Sequence, residues 1–475
     1  MRAIPSCLAA AMALALTACA SMGERAAPAQ QLDAATLAPG AAIAAAGTEP
    51  AAWPTEQWWK TLQDAQLNQL VSAALQDNPG LHAAQARVRL AEALAGVTRA
   101  ATLARVDASA SADRELYSAH STVPATLAGN YAWKNTAALT ASYDLDLWGR
   151  NRAALDAALD QARVASAEAQ LARLTLSAAV VRSYIQLALD YAVQDGVAAS
   201  LAERRQLLAL ARKRQSAGLA SEIDVASIET TLPAGRREHE QLASAIALRR
   251  NQLAALIGKG PGDGESIARP TLSLNAPAAL PSVLPAELLG RRPDIAAQRW
   301  RVEAAARHIE VAKAGFYPNL NLAAFAGFQA LGFAHLFDTH SAMRGIAPAV
   351  SLPVFEGGRL RSQLRASDAA YDMAVEQYNA TVLQALNEVA DAVTRIASAG
   401  EQQRQGEQAL AAASRAQTLA QRAWQAGMTD ASASLQAQLL LLAERQQMAL
   451  VAGRQLDNYA VLMAALGGGI KLDFP

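Results

Sequence analysis

One stretch of this sequence occurs twice, and its length narrows the folds the chain can adopt. The first copy opens at Gly149-Arg150, holds no proline before Pro233, and closes at Gln215-Ser216-Ala217-Gly218-Leu219. The second opens at Gly358-Arg359 and closes at Gln425-Ala426-Gly427-Met428. Both are rich in Ala, Leu, Gln and Arg, residues that lose little side-chain freedom in a helix. A helix of about 65 residues at ~1.5 Å each spans on the order of 100 Å, several times a bilayer core and far beyond an ordinary globular helix. Leu171, Leu174, Ala178, Val181, Ile185 and Ala188 step by three and four, as do Tyr371, Val375, Tyr378, Val382, Ala385, Val389 and Ala392. That spacing predicts coiled-coil packing against neighbouring helices.

The duplication extends beyond these helices. Gly427 follows Gly218 by 209 positions (427 − 218), and Leu462, Ala464 and Gly467 follow Leu253, Ala255 and Gly258 by the same interval. Arg292-Pro293-Asp294-Ile295 answers Asn78-Pro79-Gly80-Leu81. Alanine richness alone would not place the glycines, so the chain is two copies of one plan. The first structural repeat covers 53–257, with strands expected at about 106–116 and 136–147 and the long helix at about 149–217. The second covers 286–467, with strands at about 319–329 and 347–355 and the long helix at about 358–426. Residues 258–285, crowded with Gly and Pro, form the connector, and 468–475 a short tail.

The strands rest on alternation. Val106, Ala108, Ala110 and Ala112 alternate with Asp107, Ser109, Ser111 and Asp113. Leu139, Ala141, Tyr143, Leu145 and Leu147 alternate with Thr140, Ser142, Asp144 and Asp146. Period two with one apolar and one polar face is a strand wet on one side. Strands of about ten residues suit a tilted membrane crossing. Four cannot close a barrel, since single-chain barrels need about eight, and open edges in hydrocarbon leave unpaired backbone groups costing several kcal/mol each. Strands in a membrane therefore require several chains in one barrel. Two copies give eight strands and a filled interior, whereas three give twelve and a lumen. The alternative is a small soluble sheet packed on helices, with Asp107, Asp144 and Asp146 facing water. Tyr117, Tyr131, Trp133, Phe333 and Phe337 lie beside the strand ends in the longer loops Tyr117–Asn135 and Leu331–Gly345. They suit an interfacial girdle, or simple packing within loops.

The N-terminus reads as a processing signal over 1–18. Arg2 precedes the apolar run Ile4–Leu16, which is too short to span a bilayer. Leu16-Thr17-Ala18-Cys19 resembles a bacterial lipobox, whose cysteine takes a diacylglyceryl group and becomes the mature N-terminus. The alternative is a small residue beside an ordinary cleavage site. By the same resemblance Ala20, rather than Asp, after the cysteine favours the outer membrane. Residues 19–52 then form a flexible lipidated tether. Removal of Cys7 with the signal leaves Cys19 alone, so one chain can form neither a disulfide nor a thiolate metal site.

Several function classes are excluded. The formal charge is zero, which argues against a nucleic-acid footprint. There is no P-loop, no His-Glu-x-x-His and no Gly-x-Ser-x-Gly. His82, His120, His239, His308, His335 and His340 show no ligand spacing. No enzyme activity, no metal and no cofactor are expected beyond the covalent lipid on Cys19.

Taken in order, the motifs resemble a known family. Asn78-Pro79, Asp146-Leu147-Trp148-Gly149-Arg150, Gly218-Leu219-Ala220-Ser221 with Asp224-Val225, Arg291-Arg292-Pro293-Asp294-Ile295, Phe316-Tyr317-Pro318-Asn319-Leu320 and Pro353-Val354-Phe355-Glu356-Gly357-Gly358 are similar to those of the TolC-like outer-membrane efflux proteins, in their lipoprotein (NodT/OprM-type) branch. The resemblance implies a mainly α chain with a membrane β part. It implies a homotrimer whose twelve-stranded barrel continues into a long periplasmic α-helical barrel, with the connector in an equatorial belt. The implied function is an export duct in the outer membrane, docked to a periplasmic adaptor (membrane fusion protein) and an inner-membrane transporter that supplies the energy. A pore-less periplasmic coiled-coil scaffold is the alternative. The resemblance puts the turns at Gly218, Leu219, Gly427 and Met428 at the periplasmic tip, as adaptor contacts. The family's second-repeat gate aspartates fall here on Ala433 and Gln436. Asp224 is their first-repeat equivalent, and Asp430 lies nearer the turn, as a constriction residue or as a helix-start residue.

Overall fold

The structure is a computed structural model that describes residues 22, 27–33, 37–38, 53–120, 122–272 and 291–470. The signal peptide, Cys19 and the connector residues 273–285 lie outside the described residues. After a 3-10 turn at Trp58–Leu62 come α1 (Ala65–Asp77), α2 (Pro79–Ala100), β1 (Arg105–Leu116), β2 (Tyr131–Leu145), α3 (Arg150–Ser216), α4 (Glu222–Leu256) and the short α5 (Pro261–Glu265). The second half supplies α6 (Pro293–Ala314), β3 (Asn319–Leu331), β4 (Ala342–Ser351), α7 (Arg359–Gln425) and α8 (Ala431–Ala465). The two long helices have equal lengths of 67 residues, and the helices that follow them have 35 each. The chain forms two compact units, one built mainly of Arg87–Ala165 and Gln298–Tyr378, the other mainly of Ser166–Ala297 and Asn379–Pro475.

The first unit carries a four-stranded antiparallel sheet in the order β1-β2-β3-β4. Ala108 pairs with Leu139, Leu139 with Ala326, and Ala326 with Arg344. Residues opposite one another share a face, so this row and its neighbours define one apolar side. That side holds Val106, Ala110, Ala137, Ala141, Leu320, Leu322, Ile346 and Val350. The other side holds Asp107, Ser109, Asp113, Lys134, Thr140, Asp144, Asn321 and Gln329. The two-faced pattern read from β1 and β2 thus continues across all four strands.

Two strand boundaries differ from the alternation. β2 begins at Tyr131 and ends at Leu145, so Tyr131 and Trp133 are strand residues rather than loop residues. Pairing of Leu116 with Tyr131 carries the strand to that point, past Asn135, which breaks the apolar row. β4 runs over 342–351 rather than 347–355. Its start is obscured by Arg344 on the apolar face and by Gly345. Its end is fixed by Pro353, which has no N–H to pair.

The second unit is built around the predicted stripes. Val181, Ile185, Val389 and Ala392 are buried in one cluster with Trp58, Trp59, Leu67 and Val71 from the start of the chain and Leu456 and Leu462 of α8. Within this core Asp64 accepts hydrogen bonds from Leu67 N at the start of α1, from the Tyr184 hydroxyl, and from Thr271. Burial, and then the nearby Asp64 carboxylate, push the Tyr184 phenol well above its ordinary value. It therefore stays protonated and donates throughout the physiological range.

The repeat is also visible in three dimensions. Asn78 Nδ2 donates to Leu256 O at 2.9 Å, and Arg292 Nη1 donates to Ala465 O at 3.0 Å. Each side chain caps the C-terminal carbonyls of the second short helix in its own repeat. At both places a glycine follows, Gly258 and Gly467, with φ of 74° and 87°. A Cβ there would strike the backbone carbonyl of Asp77 or Arg291.

The tether differs from its expected flexibility in its described part. Ala29 N donates to Asp372 Oδ1 at 2.9 Å and Leu32 N to Asn379 Oδ1 at 2.8 Å, both on α7. Those two acceptors lie two helical turns apart, which matches the reach of three extended residues.

Candidate functional site

Two places carry the functional geometry: the sheet with its junction to the helices, and the turns that follow the long helices. At the junction, Asp146 accepts from Asn151 N and Arg152 N and so caps the first turn of α3. Trp148 stacks on Tyr317 with ring centroids 4.7 Å apart, and its Nε1 donates to Pro318 O at 2.7 Å. The Asp-Leu-Trp-Gly motif of the first repeat is thereby locked to the Tyr-Pro motif of the second. At the loop ends of the strands, Trp133 lies 5.5 Å from Phe333 and Phe328 lies 5.8 Å from Phe337. Aromatic rings therefore lie at the loop end of the sheet and at its junction with the helices, as girdles do at membrane interfaces.

The turns at Gly218 and Gly427 are superimposable in their bonding. Leu219 N donates to Arg214 O at 2.7 Å and Met428 N to Ala423 O at 2.9 Å. Gly218 and Gly427 have φ of 74° and 73°, with nothing near a would-be Cβ. These are Schellman closures, in which glycine is required for its backbone conformation rather than for space. Gly218, Leu219, Gly427 and Met428 are all exposed, Met428 at 82%.

The acidic residues of this region serve the helix starts. Asp224 completes a capping box with Ser221 at the head of α4. Hydrogen bonds from Ser221 and the nearby Arg214 charge hold its carboxyl below the usual range. Asp430 is the N-cap of α8, accepting from Ser432 N and Ala433 N, which is the helix-start role. It also forms an ion pair with Arg214, in the last turn of α3. The Ser432 hydroxyl and then the Ala433 amide and Arg214 lower its pKa. Ala433 is half-buried and Gln436 exposed, and neither carries charge. Sequence reasoning missed Arg214. Its signal was asymmetry: the second repeat has Ala423 at the matching position.

Among the described residues no helix is long and apolar enough to cross a membrane, and no three metal-ligating side chains gather. A sheet with one apolar face, joined to helices too long for a globular core, fits the class of membrane proteins that cross a bilayer with strands. Comparison with known proteins agrees. The sequence profile of the outer membrane efflux protein family matches residues 70–259 and 284–468, one block per repeat. Fusaric acid resistance protein FusA of Burkholderia cepacia is 44% identical over 366 residues, covering 76% of this chain and 68% of that protein. Multidrug resistance outer membrane protein MdtP of Escherichia coli K12 is 31% identical over 470 residues, covering 96% of this chain and 94% of that one. The crystal structure of the outer membrane protein VceC of Vibrio cholerae superimposes with a TM-score of 0.81 at 37% identity, covering 88% of this chain and all of that one. This chain belongs to the outer membrane efflux protein family. It is an efflux channel of the outer membrane that works with other pump components, and its work is transport, not catalysis.

Proposed function

We propose that three copies of this chain close one twelve-stranded barrel that continues into a periplasmic helical tunnel. The observation that carries this reading is the open sheet. β1 and β4 each have one partner strand, while the sheet between them has an apolar and a polar face in register. In hydrocarbon both edges need partners, and other copies of the same two edges supply them with β1 against β4. The barrel is anchored by a lipid on Cys19, and the exposed turns at Gly218 and Gly427 meet a periplasmic adaptor that joins the duct to an inner-membrane transporter. The relatives named for multidrug and fusaric acid resistance support small organic toxicants as the cargo. The Arg214–Asp430 pair ties the end of α3 to the start of α8 and takes the place of the family's acidic gate.

Cysteine pairs placed on the outer edges of β1 and β4 test the assembly. Oxidation should give a ladder that stops at three chains, and purified protein should conduct in planar bilayers. A ladder ending at the monomer, with no conductance, would overturn the duct in favour of a pore-less scaffold. Replacement of Cys19 by Ser should abolish acyl labelling.

A further inference from the structure

The apolar face of the sheet is not uniformly apolar. Rows read from the strand pairing place two cationic side chains on it, Arg114 of β1 and Arg344 of β4, and no acidic one. Arg114 lies opposite Trp133, and its guanidinium sits over the Tyr131 ring at 5.4 Å. Arg344 lies opposite Ala326 and is exposed. Each is the third residue from the loop end of its strand, since β1 ends at Leu116 and β4 begins at Ala342. Among the described residues neither faces a carboxylate. The acids of these strands, Asp107, Asp113, Glu115 and Asp144, are all on the opposite face.

An arginine on a lipid-facing surface is unfavourable unless it reaches an anion. Near the loop ends, beside the aromatic border, the anion within reach is a lipid phosphate. The planar guanidinium fork matches phosphate oxygens two at a time. We infer that Arg114 and Arg344 form a binding site for the phosphorylated headgroup of an outer-leaflet lipid. The site rests on the barrel reading above, because closure sets β1 of one copy beside β4 of the next. Arg114 and the neighbouring copy's Arg344 then lie on adjacent strands of the same outward face, making one cationic pair at each seam. Lipid bound there would bridge two copies at the edges that the single chain leaves open.

Full-length protein extracted from outer membranes in mild detergent tests this, with copurifying phosphorylated lipid counted per chain by mass spectrometry and conductance measured alongside. The Arg114→Gln/Arg344→Gln protein should retain about tenfold less of that lipid, the loss expected for charge-assisted bonds, and the Arg114→Lys/Arg344→Lys protein should recover part of it. Dephosphorylated lipid should be retained equally by all three. Equal retention of phosphorylated lipid by the Gln variant would overturn the site. So would a Gln variant that keeps its lipid but loses its heat-resistant oligomer, since the arginines would then serve protein contacts alone. Absence of conductance from the wild-type protein would instead sink the barrel reading itself.

Discussion

In the proposed duct, Arg214 and Asp430 are the pair set where the family's acidic gate is expected. The family's acids at 433 and 436 are Ala433 and Gln436 here, and the carboxylate that joins the second repeat to the first at this turn is the helix cap Asp430. Because that carboxylate caps α8 as well as pairing with Arg214, the two roles separate by mutation. Arg214→Ala should leave α8 capped yet release the link, raising the open fraction of single channels in planar bilayers. Unchanged gating would remove Arg214 from the closure. Asp430→Asn should do the same with a cap retained. The lowered pKa of Asp430 gives the sign of the acid dependence. A carboxyl depressed by its folded surroundings stabilises fully above its ordinary pKa and loses that contribution as pH falls through the depressed value. Closure by this pair should therefore hold at neutral pH and weaken only below about pH 4, the ordinary aspartate range. Opening that begins near pH 6 would point to a histidine instead. In the core, Tyr184→Phe removes one donor from buried Asp64. Leaving a buried acceptor short costs about 1–3 kcal/mol, read as a lower unfolding midpoint with conductance intact.

At the scale of elements, glycine does two different jobs that the sequence alone presents as one repeating landmark. Gly218 and Gly427 stand in open space and answer only to their positive φ. Gly258 and Gly467 combine positive φ with a carbonyl in the place of a Cβ. Gly427→Ala should cost about 1–2 kcal/mol, the left-handed penalty of a side chain. Gly467→Ala should cost more, because the backbone of Arg291 must also move. Thermal unfolding of the two purified variants distinguishes them, and equal midpoints would contradict the crowding at Gly467. The helices and the repeat were legible from the sequence because their signals are periodic and long. The strand limits were less so, because Arg344 interrupts the apolar row that alternation follows and Asn135 does the same in β2. What no pattern could supply was the pairing of distant residues, such as Arg214 with Asp430 or Arg292 with the end of α8. Such contacts depend on which helices lie side by side, not on spacing within one of them.

The whole molecule depends on which face of the sheet meets lipid, and that can be tested by two neighbouring residues of one strand. Leu139 and Thr140 are consecutive in β2, so their side chains lie on opposite faces. Leu139 shares its row with Ala108 and Ala326, whereas Thr140 is paired with Asp107 and Phe325. An arginine at 139 would sit well inside the apolar face, where a charge costs about 2–4 kcal/mol at the bilayer midplane. Leu139→Arg should therefore lower the yield of heat-resistant oligomer in the outer membrane. An arginine at 140 meets a polar face that carries Asp107, Asp113, Glu115 and Asp144 against Arg105 and Lys134, an excess of acid in each chain. Thr140→Arg should assemble normally and shift ion selectivity toward anions, as expected for a charge added to a lumen wall. The reverse result, with assembly lost at 140 and selectivity moved at 139, would turn the sheet inside out. Loss of assembly in both would place β2 in a packed interior, and the soluble-sheet alternative would then replace the barrel.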